Sequence, residues 1–213
     1  MQFHKKVREN EDFNQYWYSK KTVESILEEL FELAVRVSRP VSVAFLSTPS
    51  LFFCLKQAWG DRSGEMPVNA TLFDYDVSLG SGIPEQFVPY DFRNPTILPT
   101  HLLHAFDCVV VDPPFITDEV WRCYAETARL LLPASKGASQ PSSPSSSPRR
   151  LASSRGLFIG TSVLENADLL EELFNAKPTP FLPSIPTLVY QYNLFTNFRP
   201  RAALAVANEE IGG

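Results

Sequence analysis

Three apolar runs in this 213-residue chain each climb into an aspartate: ATLFDYD (70–76), EQFVPYD (85–91) and FDCVVVD (106–112). Runs of that length and composition predict strands, and the segments between and around them carry helical spacing instead. From residue 22 to 37, Val23, Ile26, Leu27, Leu30, Leu33, Ala34 and Val37 recur at intervals of three and four. Glu24, Glu28, Glu29 and Glu32 fill the other positions, which predicts an amphipathic helix ended by Pro40. VSVAFLS (41–47) then reads as a buried strand, and Ser47-Thr48-Pro49 supplies a cap and a first-turn proline for a helix over SLFFCLKQAW. Strands alternating with helices predict a parallel, doubly wound α/β sheet. In such sheets ligands bind outside the carboxyl ends of the strands, which is where all three aspartates fall.

The second half continues the alternation. Thr117 is placed to cap a helix with Asp118 and Glu119 in its first turn and Val120, Trp121, Tyr124, Ala128 and Leu131 on one face. GLFIGTS predicts a strand, ENADLLEELF a helix, and PTLVYQYNLFTNF one long strand or a hairpin. Between them lies PASKGASQPSSPSSSPRRLASSRG, which has almost nothing to bury and is expected to be a disordered insertion over 133–155. The expected organisation is an N-terminal arm (1–21), one domain over 22–200 interrupted by that insertion, and a flexible tail (201–213).

Composition excludes several classes. Net charge is −5 and the basic clusters are short (Lys5-Lys6-Arg8, Lys20-Lys21, Arg149-Arg150). A duplex-binding protein draws most of its affinity from neutralised phosphates, so nucleic acid is not the expected partner. Cys54, Cys108 and Cys123 have no zinc spacing and read as free thiols, and no metal is expected. No run is long enough to span a bilayer and the first residues lack the apolar core of a signal peptide, so the expectation is a cytoplasmic monomer without membrane contact.

The first strand-to-helix junction, FLSTPSLF, contains no glycine, unlike the turn that lets backbone approach a pyrophosphate. A smaller nucleoside remains compatible with it. Asp74 or Asp76 is placed to accept ribose hydroxyls, and Asp91 to accept from an adenine amino group. A turn aspartate bonded to its own backbone is the structural alternative for Asp74 and Asp76.

Asp112-Pro113-Pro114-Phe115 is more specific. Each proline pushes its predecessor out of the helical region and removes an amide donor, leaving carbonyl acceptors beside the Asp112 carboxylate. Phe115 adds a π face. Such an array suits an amino group held with its lone pair aimed one way.

These four residues match the [DNS]-P-P-[YFW] motif of methyltransferases that modify amino nitrogens with S-adenosyl-L-methionine. Together with DFNQYWYSKKT (12–22) and FVPYDFRNP (87–95), FDCVVVDPPF (106–115) closely resembles the family of elongation factor 1-alpha lysine methyltransferases, earlier labelled adenine-N6 DNA methyltransferases. The resemblance covers roughly residues 10–132 and 156–198. It implies a seven-stranded, Rossmann-like class I methyltransferase sheet with the last strand antiparallel, and elongation factor 1-alpha as the protein substrate. It implies that Asp112, Pro113 and Phe115 hold the target amine, and that Asp74 or Asp76 binds the ribose. Asp91 and Phe92 would neighbour the adenine, and Ser47, in an STPS turn like the family's own, would contact the cofactor, as would Asp112. The QYWYS segment would fold over the methionine end and target channel, Tyr18 and Ser19 toward the cofactor, Tyr16 and Trp17 with Phe115 toward the substrate. Aromatic packing of the arm is the alternative there. Phe115 departs from the tyrosine of close relatives but keeps the π face. Adenine methylation of DNA or RNA and a catalytically silent scaffold are the competing functions.

Overall fold

The computed structural model describes residues 17–59, 66–134 and 156–211. Tyr16, the rest of the arm before it and residues 135–155 of the expected insertion lie outside the described residues. Seven strands form one sheet: β1 (Val41–Leu46), β2 (Val68–Asp74), β3 (Phe87–Pro89), β4 (Cys108–Val111), β5 (Leu157–Ser162), β6 (Lys177–Pro178) and β7 (Asn193–Thr196). Their order is β3-β2-β1-β4-β5-β7-β6. Only β7 runs against the others, pairing antiparallel to both β5 and β6. The doubly wound sheet with its last strand reversed is therefore as expected.

Alternation along each strand feeds two cores. Val41, Val43 and Phe45 of β1 point to one face, covered by α1 (Lys20–Val37) and α2 (Pro49–Trp59). Ala44 and Leu46 point to the other, covered by α3 (Asp118–Leu131) and α4 (Ala167–Phe174). Val110 and Val109 of β4 divide in the same way. Ser19 caps α1, its side chain accepting from the Thr22 amide at 3.1 Å, and Ser38 closes it in the left-handed region two residues before Pro40. Thr117 caps α3 as the sequence predicts, accepting from the Val120 amide.

Three expectations are corrected. EQFVPYD supplies only the three residues of β3, because Pro84 opens a 3-10 turn and Pro89 removes a ladder donor. PTLVYQYNLFTNF is not one long strand: β7 is four residues, and the chain from Thr179 to Tyr192 is a strap across the carboxyl edge of the sheet. That strap is tied down where the Ser184 amide donates to Thr22 Oγ1 and its carbonyl accepts from the Ser19 amide, each at 2.8 Å. The tail is packed through residue 211 instead of flexible. Leu204 is fully buried, Asn208 donates to the Leu182 carbonyl, and the amides of Arg201 and Ala202 donate to the buried carboxylate of Glu29.

Among the described residues no helix is long and apolar enough to cross a membrane. No cluster of candidate metal ligands occurs among them.

Candidate functional site

Strand order reverses between β1 and β4, whose carboxyl ends open into a crevice, the place where open α/β sheets hold ligands. A cavity of about 400 Å³ lies there. Its walls come from the loops after β1, β2, β3 and β4, from α3, and from the strap.

At the tip of β1, Ser47 adopts φ 53°, a left-handed conformation that is rare outside glycine. Its amide donates to the Phe73 carbonyl at 2.9 Å, and its hydroxyl lies 2.7 Å from the Tyr124 hydroxyl. The turn that dinucleotide folds make with glycine is thus made with serine. Thr48, one residue on, is buried against the cavity, and its hydroxyl has no hydrogen-bond partner among the described residues. A buried, unpartnered hydroxyl at the start of α2 is a position where a bound polar group would find a partner.

Asp74 ends β2 and lines the cavity, with its carboxylate accepting from the Asp76 amide at 2.9 Å. Burial pushes it up to about 6, against the pull of that amide. Asp76 is turned elsewhere: its carboxylate accepts from the Ser78 amide and caps the 3-10 turn Val77–Gly80. Asp91 lines the cavity beyond β3, but Arg93 grips it from two nitrogens and holds it below the usual carboxylate range. Phe92 stacks on Tyr124 (centroids 6.0 Å, 25°) and meets Phe115 edge-on at 6.4 Å, so three rings form one wall.

The Asp112 amide continues the ladder to the Leu46 carbonyl, and the two prolines then carry the chain out along the cavity to Phe115. The loop beyond is braced by Asn166, which donates to the Ile116 carbonyl at 2.7 Å. Asp112 Oδ1 accepts from the Thr161 hydroxyl at 2.7 Å, and the Tyr18 hydroxyl lies 2.7 Å from the same Thr161 oxygen. Burial pushes Asp112 up to about 6, while those two hydroxyls pull it down.

Of the residues expected from sequence, Trp17, Ser47, Asp74, Asp91, Phe92, Asp112, Pro113 and Phe115 line the one cavity. Tyr18 sits behind Asp112, while Ser19 and Asp76 serve as helix caps facing away. Tyr16 lies outside the described residues. Tyr90, Tyr124 and Thr161 were not anticipated as site residues; only the helical spacing of Tyr124 gave any signal of its inward direction. The strap residues Leu188 and Tyr192 were missed because PTLVYQYNLFTNF read as strand or hairpin, and Ile185, just before it, was given no reading.

Of the residues lining the cavity, Tyr75 and Phe115 are exposed apolar side chains. Ile97, Leu164, Val189 and Tyr190 are exposed apolar side chains elsewhere on the carboxyl-edge loops and strap. Among the described residues, Arg93 after β3 is paired with Asp91, and Arg122 of α3 with Asp118 and Glu172.

A family model described as "Probable N6-adenine methyltransferase" matches residues 9–200. "Protein-lysine N-methyltransferase M142.8" of Caenorhabditis elegans is 33% identical over 128 residues, 59% of this chain and 58% of that protein. "EEF1A lysine methyltransferase 1" of Bos taurus is 34% identical over 126 residues, 59% of this chain and 52% of that protein. Its Danio rerio counterpart is 38% identical over 107 residues, 50% of this chain and 61% of that protein. The matched region thus spans between half and two thirds of these curated relatives. Among solved structures, the branched-chain polyamine synthase from Thermus thermophilus superposes with a TM-score of 0.56 at 12% identity, covering 93% of this chain and 61% of that one. That likeness concerns the fold.

Proposed function

Because the chain belongs to the family described as Probable N6-adenine methyltransferase, we propose that it is an S-adenosylmethionine-dependent protein-lysine N-methyltransferase, with elongation factor 1-alpha as its substrate. The observation that carries the reading is the cavity mouth. A nucleic-acid strand needs cations free to meet phosphate, and a flipped base needs a surface that holds the strand on either side. Among the described residues Arg93 and Arg122 are paired with carboxylates, and the exposed rings of Tyr75 and Phe115 stand at the cavity. Such a rim suits a protein surface that offers a cationic side chain. The named lysine methyltransferases among the relatives support the same reading.

The donor fits the residues present. Asp74 would accept the ribose hydroxyls, Phe92 would lie against the adenine, and the Thr48 hydroxyl and the start of α2 would meet the methionine carboxylate. Asp91 is the weaker contact, since Arg93 already occupies its carboxylate. When bound, S-adenosylmethionine supplies a methyl group on a cationic sulfur, which leaves as a neutral thioether once an amine nitrogen has taken the methyl.

A lysine is charged at neutral pH, with an ordinary pKa of about 10.4, and must lose a proton before its lone pair is available. Entry into an aromatic-walled cavity disfavours the cation and helps that loss. The Asp112 carboxylate and the Pro113 carbonyl then accept the remaining N–H bonds and aim the lone pair. A carboxylate alone would raise the lysine pKa, so orientation is the main role of Asp112. Phe115 faces the cation that forms as methyl groups accumulate.

The test is transfer of labelled methyl to purified elongation factor 1-alpha, with DNA and RNA in parallel. Label in the factor that chases to lysine on hydrolysis is expected. Label only in nucleic acid would establish adenine methylation instead, and donor binding without transfer to any acceptor would establish a silent scaffold.

A further inference from the structure

We infer that Thr161, with Tyr18 behind it, is a positioning residue that fixes the Asp112 carboxylate for the incoming amine. The inference rests on the reading above only in taking Asp112 as the group that meets that amine.

Register puts Thr161 in place. Gly160 of β5 pairs with Val111 of β4, so Thr161 stands level with Asp112, one rung past the ladder. Its side chain follows Ile159 to the α1 face, where Tyr18 packs. A threonine hydroxyl carries one proton. The carboxylate can only accept, so that proton goes to Asp112 Oδ1 at 2.7 Å. The Tyr18 hydroxyl, 2.7 Å from Thr161 Oγ1, also hydrogen-bonds the Asp112 carboxylate, so the two hydroxyls converge on it. Thr161 and Tyr18 are each 2% exposed, so solvent does not stand in for either.

One carboxylate oxygen is thereby tied to the sheet, leaving Oδ2 for an N–H of the amine. Threonine is suited to this because its branched side chain is stiff about χ1 and holds the hydroxyl in one direction. The pair of hydroxyls also opposes burial. Asp112 is pushed up by desolvation and pulled down by both hydroxyls, and in its protonated form it would donate to the amine instead of accepting. The other ionisable groups around the carboxylate are Tyr124 on α3, Tyr192 on the strap, Asp74 after β2, and the Asp91–Arg93 pair after β3. Thr161 and Tyr18 are the neutral hydroxyls that hydrogen-bond it.

The experiment compares wild type with Thr161→Val, Thr161→Ser and Tyr18→Phe. In Thr161→Val, kcat should fall about tenfold or more, with S-adenosylhomocysteine affinity unchanged within about twofold. Thr161→Ser should recover most of kcat, which a purely structural loss would not allow. Independently of any substrate, carboxyl-carbon NMR titration of Asp112, assigned with Asp112→Asn, should move upward by about one unit in Thr161→Val and less in Tyr18→Phe. Wild-type kcat with an unmoved Asp112 titration in a folded Thr161→Val would overturn the inference. Wild-type protein that methylates no lysine would sink only the function reading, since the titration decides the positioning by itself.

Discussion

The Ser47 hydroxyl lies 2.7 Å from the phenol oxygen of Tyr124, joining the tip of β1 to the helix that follows β4. This bond crosses the switch point of the sheet and fixes a serine held at φ 53°. A Cβ in that conformation costs roughly 1–2 kcal/mol, and the side-chain bond returns about 1 kcal/mol. Ser47→Ala loses the bond and keeps the strain, whereas Ser47→Gly loses the bond and removes the strain. Urea unfolding should therefore place Ser47→Gly above Ser47→Ala by about 1 kcal/mol, the reverse of the usual ranking of these residues in ordered structure. An alanine variant as stable as the glycine variant would show the turn to be unstrained.

Asp74 combines burial with charge, which makes the site expensive for the free protein. Its folded pKa of about 6 exceeds its ordinary value, so the native state binds the proton more tightly than the unfolded chain. Stability from this group is full below about pH 4 and is lost as pH rises through about 6. Asp74→Asn removes the charge and keeps an acceptor for the Asp76 amide. We expect it to raise the melting temperature at pH 8 by a few degrees, on the order of 1–2 kcal/mol, and to weaken donor binding at least tenfold. Calorimetry with S-adenosylhomocysteine reads both, and unchanged affinity would remove Asp74 from the ribose site.

With Asp112 as the proposed acceptor for the amine, its pKa of about 6 is expected to set an acid limb of the reaction. The proposed contact needs an ionised carboxylate, so below about pH 6 kcat should lose a further tenfold per unit on top of the loss from protonation of the lysine. Asp112→Ala should lose turnover by about two orders of magnitude or more while retaining donor binding. Asp112→Asn keeps a carbonyl acceptor that does not titrate. It should retain more activity than alanine, and the limb near pH 6 should disappear from its profile. Persistence of that limb in Asp112→Asn would assign it to another group.

Much of this was legible before any coordinate. The aspartates ending β2 and β4, the Thr117 cap and the Asp112-Pro113-Pro114-Phe115 wall follow from local pattern, because a strand's polar end and a proline's dihedral are set within a few residues. Other features depend on partners far along the chain. Thr161 reaches Asp112 only through the register of β4 and β5, and no spacing in GLFIGTS announces it. Glu29 sits among the polar positions of α1 and reads as solvated. It is fully buried because the tail crosses it, giving it two backbone amides and the Arg36 guanidinium at 2.7 Å. A polar stripe tells which side of a helix lacks the sheet, not whether something else covers it. Asp74 and Asp76 could not be separated either, since the choice turns on which carboxylate faces the crevice and which caps its own turn.

Exposed apolar residues on the carboxyl-edge loops yield the last prediction, because they let recognition of a folded substrate be tested apart from the chemistry in the cavity. Ile97 (72% exposed) and Leu164 (54%) stand on the loops after β3 and β5, outside the set of residues that line the cavity. Neither touches the Asp112 or the Asp74 carboxylate. An aspartate at either position leaves the fold and the donor pocket intact, since an exposed side chain loses little on becoming polar. It does oblige a docking protein to bury a charge against its own apolar surface, which costs about 1–3 kcal/mol per contact that closes. Ile97→Asp and Leu164→Asp should therefore raise KM for elongation factor 1-alpha about tenfold, while kcat at saturation and S-adenosylhomocysteine affinity stay within about twofold of wild type. The double variant should add in free energy, because the two loops are separate sites of contact. A KM that does not move in either single variant would mean that the substrate approaches without touching these two loops.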